Sequence, residues 1–190
     1  MGIWLAWRRM VCRLARAGDG NGRALIGPGR APSARLVALV STTHKAQRVL
    51  DIGAEAAIDL SAQDLASAVA DITDGQGADA ALDPVGGVRL GELLRCVRLR
   101  GTVVSLGFTG CKLAELDIVD LLMGEKHLTV YAVHNEPEEV IAPALKTIGA
   151  VAAQGLLRSV IDSRFAFGDF EDAFARLTSR QAIGAIVLNF

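Results

Sequence analysis

The chain has 190 residues, 51% of them hydrophobic, and a net charge of −1. That length and apolar content suit one globular domain with a sizeable core, and the near-neutral balance excludes a bulk electrostatic case for nucleic acid or a membrane surface. Cys12, Cys96 and Cys111 are scattered, form no CxxC pair and no ligand set with His44, His127 or His134, and no apolar run approaches the roughly 20 residues of a membrane span, so disulfide framework, structural zinc and membrane insertion are not expected and a reducing, cytoplasmic setting is.

Residues 1–35 carry seven arginines against a single acid, Asp19. Ile3, Trp7, Met10 or Val11, and Leu14 fall on one helix face. The glycines Gly18, Gly20 and Gly22 follow, and Gly27-Pro28-Gly29 with Pro32 forbid a long helix. Residues 11–16 do not read as a buried strand. From Leu36 the pattern is regular. Residues 36–40 are a continuous apolar run, expected as a buried strand. Helix 45–52, strand 56–60 and helix 61–73 follow, the last with Leu65, Val69 and Ile72 at helical spacing. Asp74-Gly75-Gln76-Gly77 is a turn. Strand 78–82, helix 88–99 and strand 101–106 come next. Residues 113–124 are expected to be helical in their second half. The remainder reads as strand 128–133, helix 137–154, an extended stretch 160–167, helix 170–178 and a final strand 185–188. Strands alternating with helices imply right-handed crossovers and a parallel sheet.

The chemistry is expected beyond the C-terminal ends of those strands, where open parallel sheets hold their ligands. Asp83-Pro84-Val85-Gly86-Gly87 follows one strand and Gly107-Phe108-Thr109 another. Both suit nucleotide binding and both suit plain turns. In a dinucleotide fold the second strand ends beside the adenosine ribose, where an acid selects the free 2′-hydroxyl. Here that strand ends in Ser41-Thr42-Thr43-His44-Lys45, without an acid. The hydroxyls of Ser41 and Thr42 and the ammonium of Lys45 suit a 2′-phosphate, which favours NADPH. The plainer alternative is a helix cap and a solvated lysine. Gly18, Gly20 and Gly22 would let the backbone approach a pyrophosphate, or form a linker. No Ser/His/Asp, Cys/His or paired-carboxylate arrangement stands out, so no catalytic or metal-ligating residue is assigned.

Five segments together resemble the C-terminal, coenzyme-binding half of medium-chain dehydrogenases/reductases, in the quinone oxidoreductase and zinc-binding-dehydrogenase-like branch. They are Val37-Ala38-Leu39-Val40-Ser41-Thr42-Thr43-His44-Lys45 with Leu50-Asp51-Ile52-Gly53-Ala54-Glu55; Ile72-Thr73-Asp74-Gly75-Gln76-Gly77-Ala78-Asp79; Leu82-Asp83-Pro84-Val85-Gly86-Gly87; Gly101-Thr102-Val103-Val104-Ser105-Leu106-Gly107; and the tail from Phe170 to Leu177 with Gly184-Ala185-Ile186-Val187-Leu188. The resemblance covers about residues 34–190. It implies an α/β, Rossmann-type doubly wound parallel sheet, here without a regular first βα unit, so residues 1–33 are set apart from a domain over 34–190. It implies hydride transfer from NADPH to a quinone, enone or aldehyde. Asp83, Val85, Gly86, Gly107, Phe108 and Thr109 would line the cofactor, with Ser41 and Lys45 at the 2′-phosphate. Strand 128–133 resembles one that pairs edge to edge in a homodimer.

No counterpart of the family's substrate domain is found, and segments 160–167 and 185–188 would return to it, so little turnover is expected. A non-catalytic nucleotide-binding or dimerisation module and a non-functional truncated product stand as alternatives. Residues 1–33 stay open between an altered, rearranged or out-of-frame first βα unit and a targeting segment.

Overall fold

The computed structural model describes residues 12–16, 35–51, 53–155, 160–179 and 181–190. In chain order the elements are β1 (Cys12–Arg16), β2 (Arg35–Val40), α1 (Thr43–Asp51), β3 (Ala56–Asp59), α2 (Leu65–Thr73), β4 (Ala78–Asp83), α3 (Arg89–Cys96), β5 (Val97–Ser105), α4 (Ile118–Met123), β6 (His127–Val130), α5 (Glu138–Ala153), β7 (Ile161–Ala166), α6 (Phe170–Thr178) and β8 (Ala185–Asn189). Single 3₁₀ turns at Val133–Asn135 and Phe167–Asp169 precede α5 and α6.

Strands β1 to β6 form one parallel sheet in the order β3-β2-β1-β4-β5-β6. The order reverses between β1 and β4, which is the switch point of a doubly wound fold and the place where its ligands bind. Residues along β2 alternate between the two sides of the sheet. Val37 and Leu39 join Leu14, Ile58, Val69, Ala81, Leu93 and Val103 on the face covered by α2 and α3. Leu36, Ala38 and Val40 join Ala15, Leu82 and Val104 on the other, where Val49 of α1 packs. Every residue from Leu36 to Val40 is buried, as a strand sandwiched between helices requires.

The expectation for residues 11–16 is corrected. Cys12–Arg16 is the central strand β1, paired with β2 on one side and β4 on the other. Leu14 and Ala15 are fully buried, and two such residues suffice because each neighbouring strand supplies its own apolar row. Two helix boundaries also shift. α2 begins at Leu65 because Asp64 caps it, accepting from the Ser67 backbone N–H at 2.9 Å. α3 stops at Cys96, and Val97 already belongs to β5. The chain doubles tightly there: a Cβ on Gly101 would sit 2.8 Å from that of Val97, and Arg100 takes a positive φ of 60°.

β6 is an edge strand that ends at Val130, three residues short of the expected run. β7 and β8 form a separate parallel pair, with α6 packed on both. No described residue of α5 is buried. Among the described residues no helix is long and apolar enough to cross a membrane.

Candidate functional site

The C-terminal end of β2 runs into a bend at Ser41 and Thr42, and α1 starts at Thr43. Ser41 and Thr42 are exposed, whereas Lys45, in the first turn of the helix, is only 6% exposed. Opposite Val40, at the end of β3, stands Asp59. It is buried, and its carboxylate takes three donors. Thr43 Oγ1 donates to Oδ2 at 2.5 Å; the backbone N–H and the hydroxyl of Ser61 donate to Oδ1 at 2.9 and 2.6 Å. These bonds, that of the Ser61 hydroxyl first, hold the Asp59 carboxyl below the usual carboxylate range, against the opposing effect of burial.

Beside this bend lies an open hollow of about 530 Å³, lined by Thr42, His44, Lys45, Arg176, Ser179 and Gln181. No acidic side chain is among these described lining residues. Two of the expected site residues, Thr42 and Lys45, line it together; Ser41 sits on the same bend. His44, Arg176, Ser179 and Gln181 escaped the sequence reading. His44 stands between two residues that reading chose. The other three arrive from the end of α6 and the segment after it, more than 130 positions along the chain, and no local pattern marks them. Arg176 is held by Asp162 in β7 through Nε and Nη2 at 2.9 and 3.0 Å.

The ends of β4 and β5 make a second patch. Asp83 is fully buried, and its Oδ1 accepts the backbone N–H groups of Val85 and Gly86, both at 3.0 Å. It therefore anchors its own turn. The two loops are laced by Leu106 N–H to Asp83 O and Gly110 N–H to Val85 O, each 2.8 Å. A Cβ on Gly86, whose φ is +71°, would fall 2.5 Å from the carbonyl oxygen of Gly107, and one on Gly107 would collide with the carbonyl of Pro84. These two glycines are required by the approach of one loop to the other. Phe108 is 73% exposed and Thr109 is exposed. Gly18, Gly20 and Gly22, expected at the pyrophosphate, lie outside the described residues.

Cys96 is buried, and burial pushes its thiol up to about 11, so it is a poor nucleophile and a poor ligand. Cys111 is exposed, as are His127 and His134.

A family model described as zinc-binding dehydrogenase matches residues 52–188. The chain belongs to that family. The match falls on the coenzyme-binding half of medium-chain dehydrogenases/reductases. A 2-haloacrylate reductase from Burkholderia sp. is 28% identical over 176 residues, which cover 90% of this chain and 53% of that protein. That coverage reaches upstream of residue 34. The quinone oxidoreductase of Pseudomonas aeruginosa is 32% identical over 165 residues, covering 84% of this chain and 50% of its own. The chain thus spans about half the length of the curated relatives it matches. The crystal structure of Escherichia coli quinone oxidoreductase complexed with NADPH superposes with a TM-score of 0.82 at 24% identity, over 93% of this chain and 56% of that one. At that identity the superposition shows the shared Rossmann-type fold. The family's name implies zinc. Among the described residues no three His, Cys, Asp or Glu side chains are grouped so as to hold a metal ion. The donor set of the described residues does not fit zinc.

Proposed function

We propose that this zinc-binding dehydrogenase family member binds NADPH and serves hydride transfer to a quinone, an enone or an aldehyde, as the coenzyme-binding part of a quinone-reductase-type oxidoreductase. The observation that carries this reading is the hollow at the end of β2. It gathers a hydroxyl, an imidazole, an ammonium and a guanidinium where a dinucleotide fold presents the adenosine ribose. Thr42, His44 and Lys45 would hold the 2′-phosphate, with Arg176, Ser179 and Gln181 closing the far side. The acid of the neighbouring strand, Asp59, is buried, bonded to Thr43 and Ser61 and outside the lining of the hollow, so it does not present the open acceptor that a free 2′-hydroxyl prefers. The loops after β4 and β5 would carry the rest of the coenzyme, with Val85, Phe108 and Thr109 as their accessible side chains. Bound there, the nicotinamide supplies the hydride; the protein's part is to bind and orient it. A cytoplasmic setting goes with the scattered cysteines.

The test is a fluorescence titration of the whole chain with NADPH and with NADH. NADPH is expected to bind tighter. Lys45→Met is expected to raise the NADPH Kd roughly tenfold, the size of a lost charge-assisted hydrogen bond, and to leave NADH nearly unchanged. Binding of neither nicotinamide by the wild-type chain overturns the reading. Because the chain spans about half the length of its relatives, turnover is read separately, by NADPH oxidation with a quinone. Binding without oxidation marks a nucleotide-binding module instead.

The same reading extends to a homodimer across the free edge of β6. Its support is the edge strand β6, whose last residue, Val130, is 76% exposed, and the segment after it, where Tyr131 and Val133 are 44% and 59% exposed.

A further inference from the structure

Asp59 lies beside the proposed 2′-phosphate hollow but is not among its lining residues. It faces Val40, the last residue of β2, and the strand ends are tied there by Leu60 N–H to Val40 O at 2.9 Å. In a dinucleotide fold the acid that selects a free 2′-hydroxyl stands at the end of the second strand, and here that strand ends without one; Asp59 stands one strand over and is buried. Its two oxygens accept from Ser61 and from Thr43. Thr43 is the first residue of α1 and stands between Thr42 and His44, both of which line the hollow, with Lys45 next.

From this juxtaposition we infer that Asp59 is a positioning residue for coenzyme choice: by accepting from Thr43 Oγ1 it fixes the first turn of α1. The inference rests on the coenzyme reading above and adds to it a specificity device, a buried acid that shapes the NADPH pocket from behind. Losing the Thr43 hydroxyl frees the turn that carries Thr42, His44 and Lys45. It also leaves the buried Asp59 carboxylate short of a donor.

The experiment compares Thr43→Val, which keeps the shape and removes the donor, with Thr43→Ser, which keeps the donor. Both substitutions are at one exposed residue. The readout is the ratio of NADH to NADPH dissociation constants, with circular dichroism and Tm as the check on folding. Thr43→Val is expected to lower the preference for NADPH by roughly fivefold or more, and Thr43→Ser to keep it near the wild-type value. A role confined to stability would move Tm and leave the ratio alone. An unchanged ratio in a folded Thr43→Val overturns the inference, as does a Thr43→Ser protein that behaves like Thr43→Val. Failure of the wild-type chain to bind NADPH overturns the coenzyme reading itself and is seen before any variant is made.

Discussion

Asp162 holds three pieces of chain at once. Its carboxylate, at the start of β7, accepts from Arg176 of α6 and from the Ile183 backbone N–H at 2.8 Å, just before β8. The Arg176 bond is the largest cause of a carboxyl held down at about 2, with burial acting the other way. An unfolded aspartate titrates near 3.9. The ionised form is therefore favoured by folding, its contribution is complete above about pH 4, and it is lost as pH falls toward 2. Asp162→Asn is expected to speed hydrogen exchange of the β7 and β8 amides at pH 7. The gap to wild type should close between about pH 4 and pH 2, and a gap that persists at pH 2 would contradict the assignment. The partnership also bears on the hollow, because it aims Arg176 from the far side. None of it was legible beforehand. Thr42 and Lys45 were readable because their position follows from where β2 ends. Asp59 and Arg176 act through contacts between elements, and a single sequence gives such contacts no local mark.

At the scale of elements, β1 is the instructive case. Five residues, Cys-Arg-Leu-Ala-Arg, form the middle of the sheet. Arg13 and Arg16, on either side of Leu14 and Ala15, hide so short a run from any search for apolar stretches, whereas β2 announces itself with five consecutive buried residues. The difference is one of tertiary support: β1 is held by backbone ladders on both sides, so two apolar side chains are enough. Leu14 is 1% exposed and touches the cluster shared by α2 and α3. Leu14→Ala should cost about 2–5 kcal/mol in denaturant unfolding. Leu122→Ala, on a side chain 73% exposed in α4, should fall within about 0.5 kcal/mol of wild type. Similar costs at the two sites would mean that β1 is not part of the folded core. The elements from β2 to β5 were mostly readable because apolar period and turn residues agree there. The boundary between α3 and β5 was not, since the strand follows the helix without a breaker and the sharp turn at Gly101 lies inside it.

For the whole molecule, the balance of covered and uncovered apolar surface is uneven. The strands β2 and β4 at the middle of the sheet are buried on both faces, yet Phe167 and Phe190 stack on each other at 4.9 Å while 57% and 101% exposed. Phe170, Phe174 and Leu177 of α6 are each more than half exposed, and so are Ile118, Val119, Leu122 and Met123 of α4. A two-stranded sheet such as β7–β8 is marginal on its own, and soluble monomers rarely leave contiguous apolar patches of this kind open. Two surfaces are therefore the candidates for association: the β6 edge, through backbone pairing, and the aromatic face of the C-terminal unit, through apolar burial. Sedimentation over a concentration series separates them. If the β6 edge is the interface, wild type shows a monomer–dimer equilibrium. Val130→Lys, a charge on the edge where a partner strand would pair, shifts it to monomer, and Phe174→Glu leaves it unchanged. The reverse pattern places association on the C-terminal aromatics and removes the basis for the β6 homodimer. A monomer at every concentration removes both.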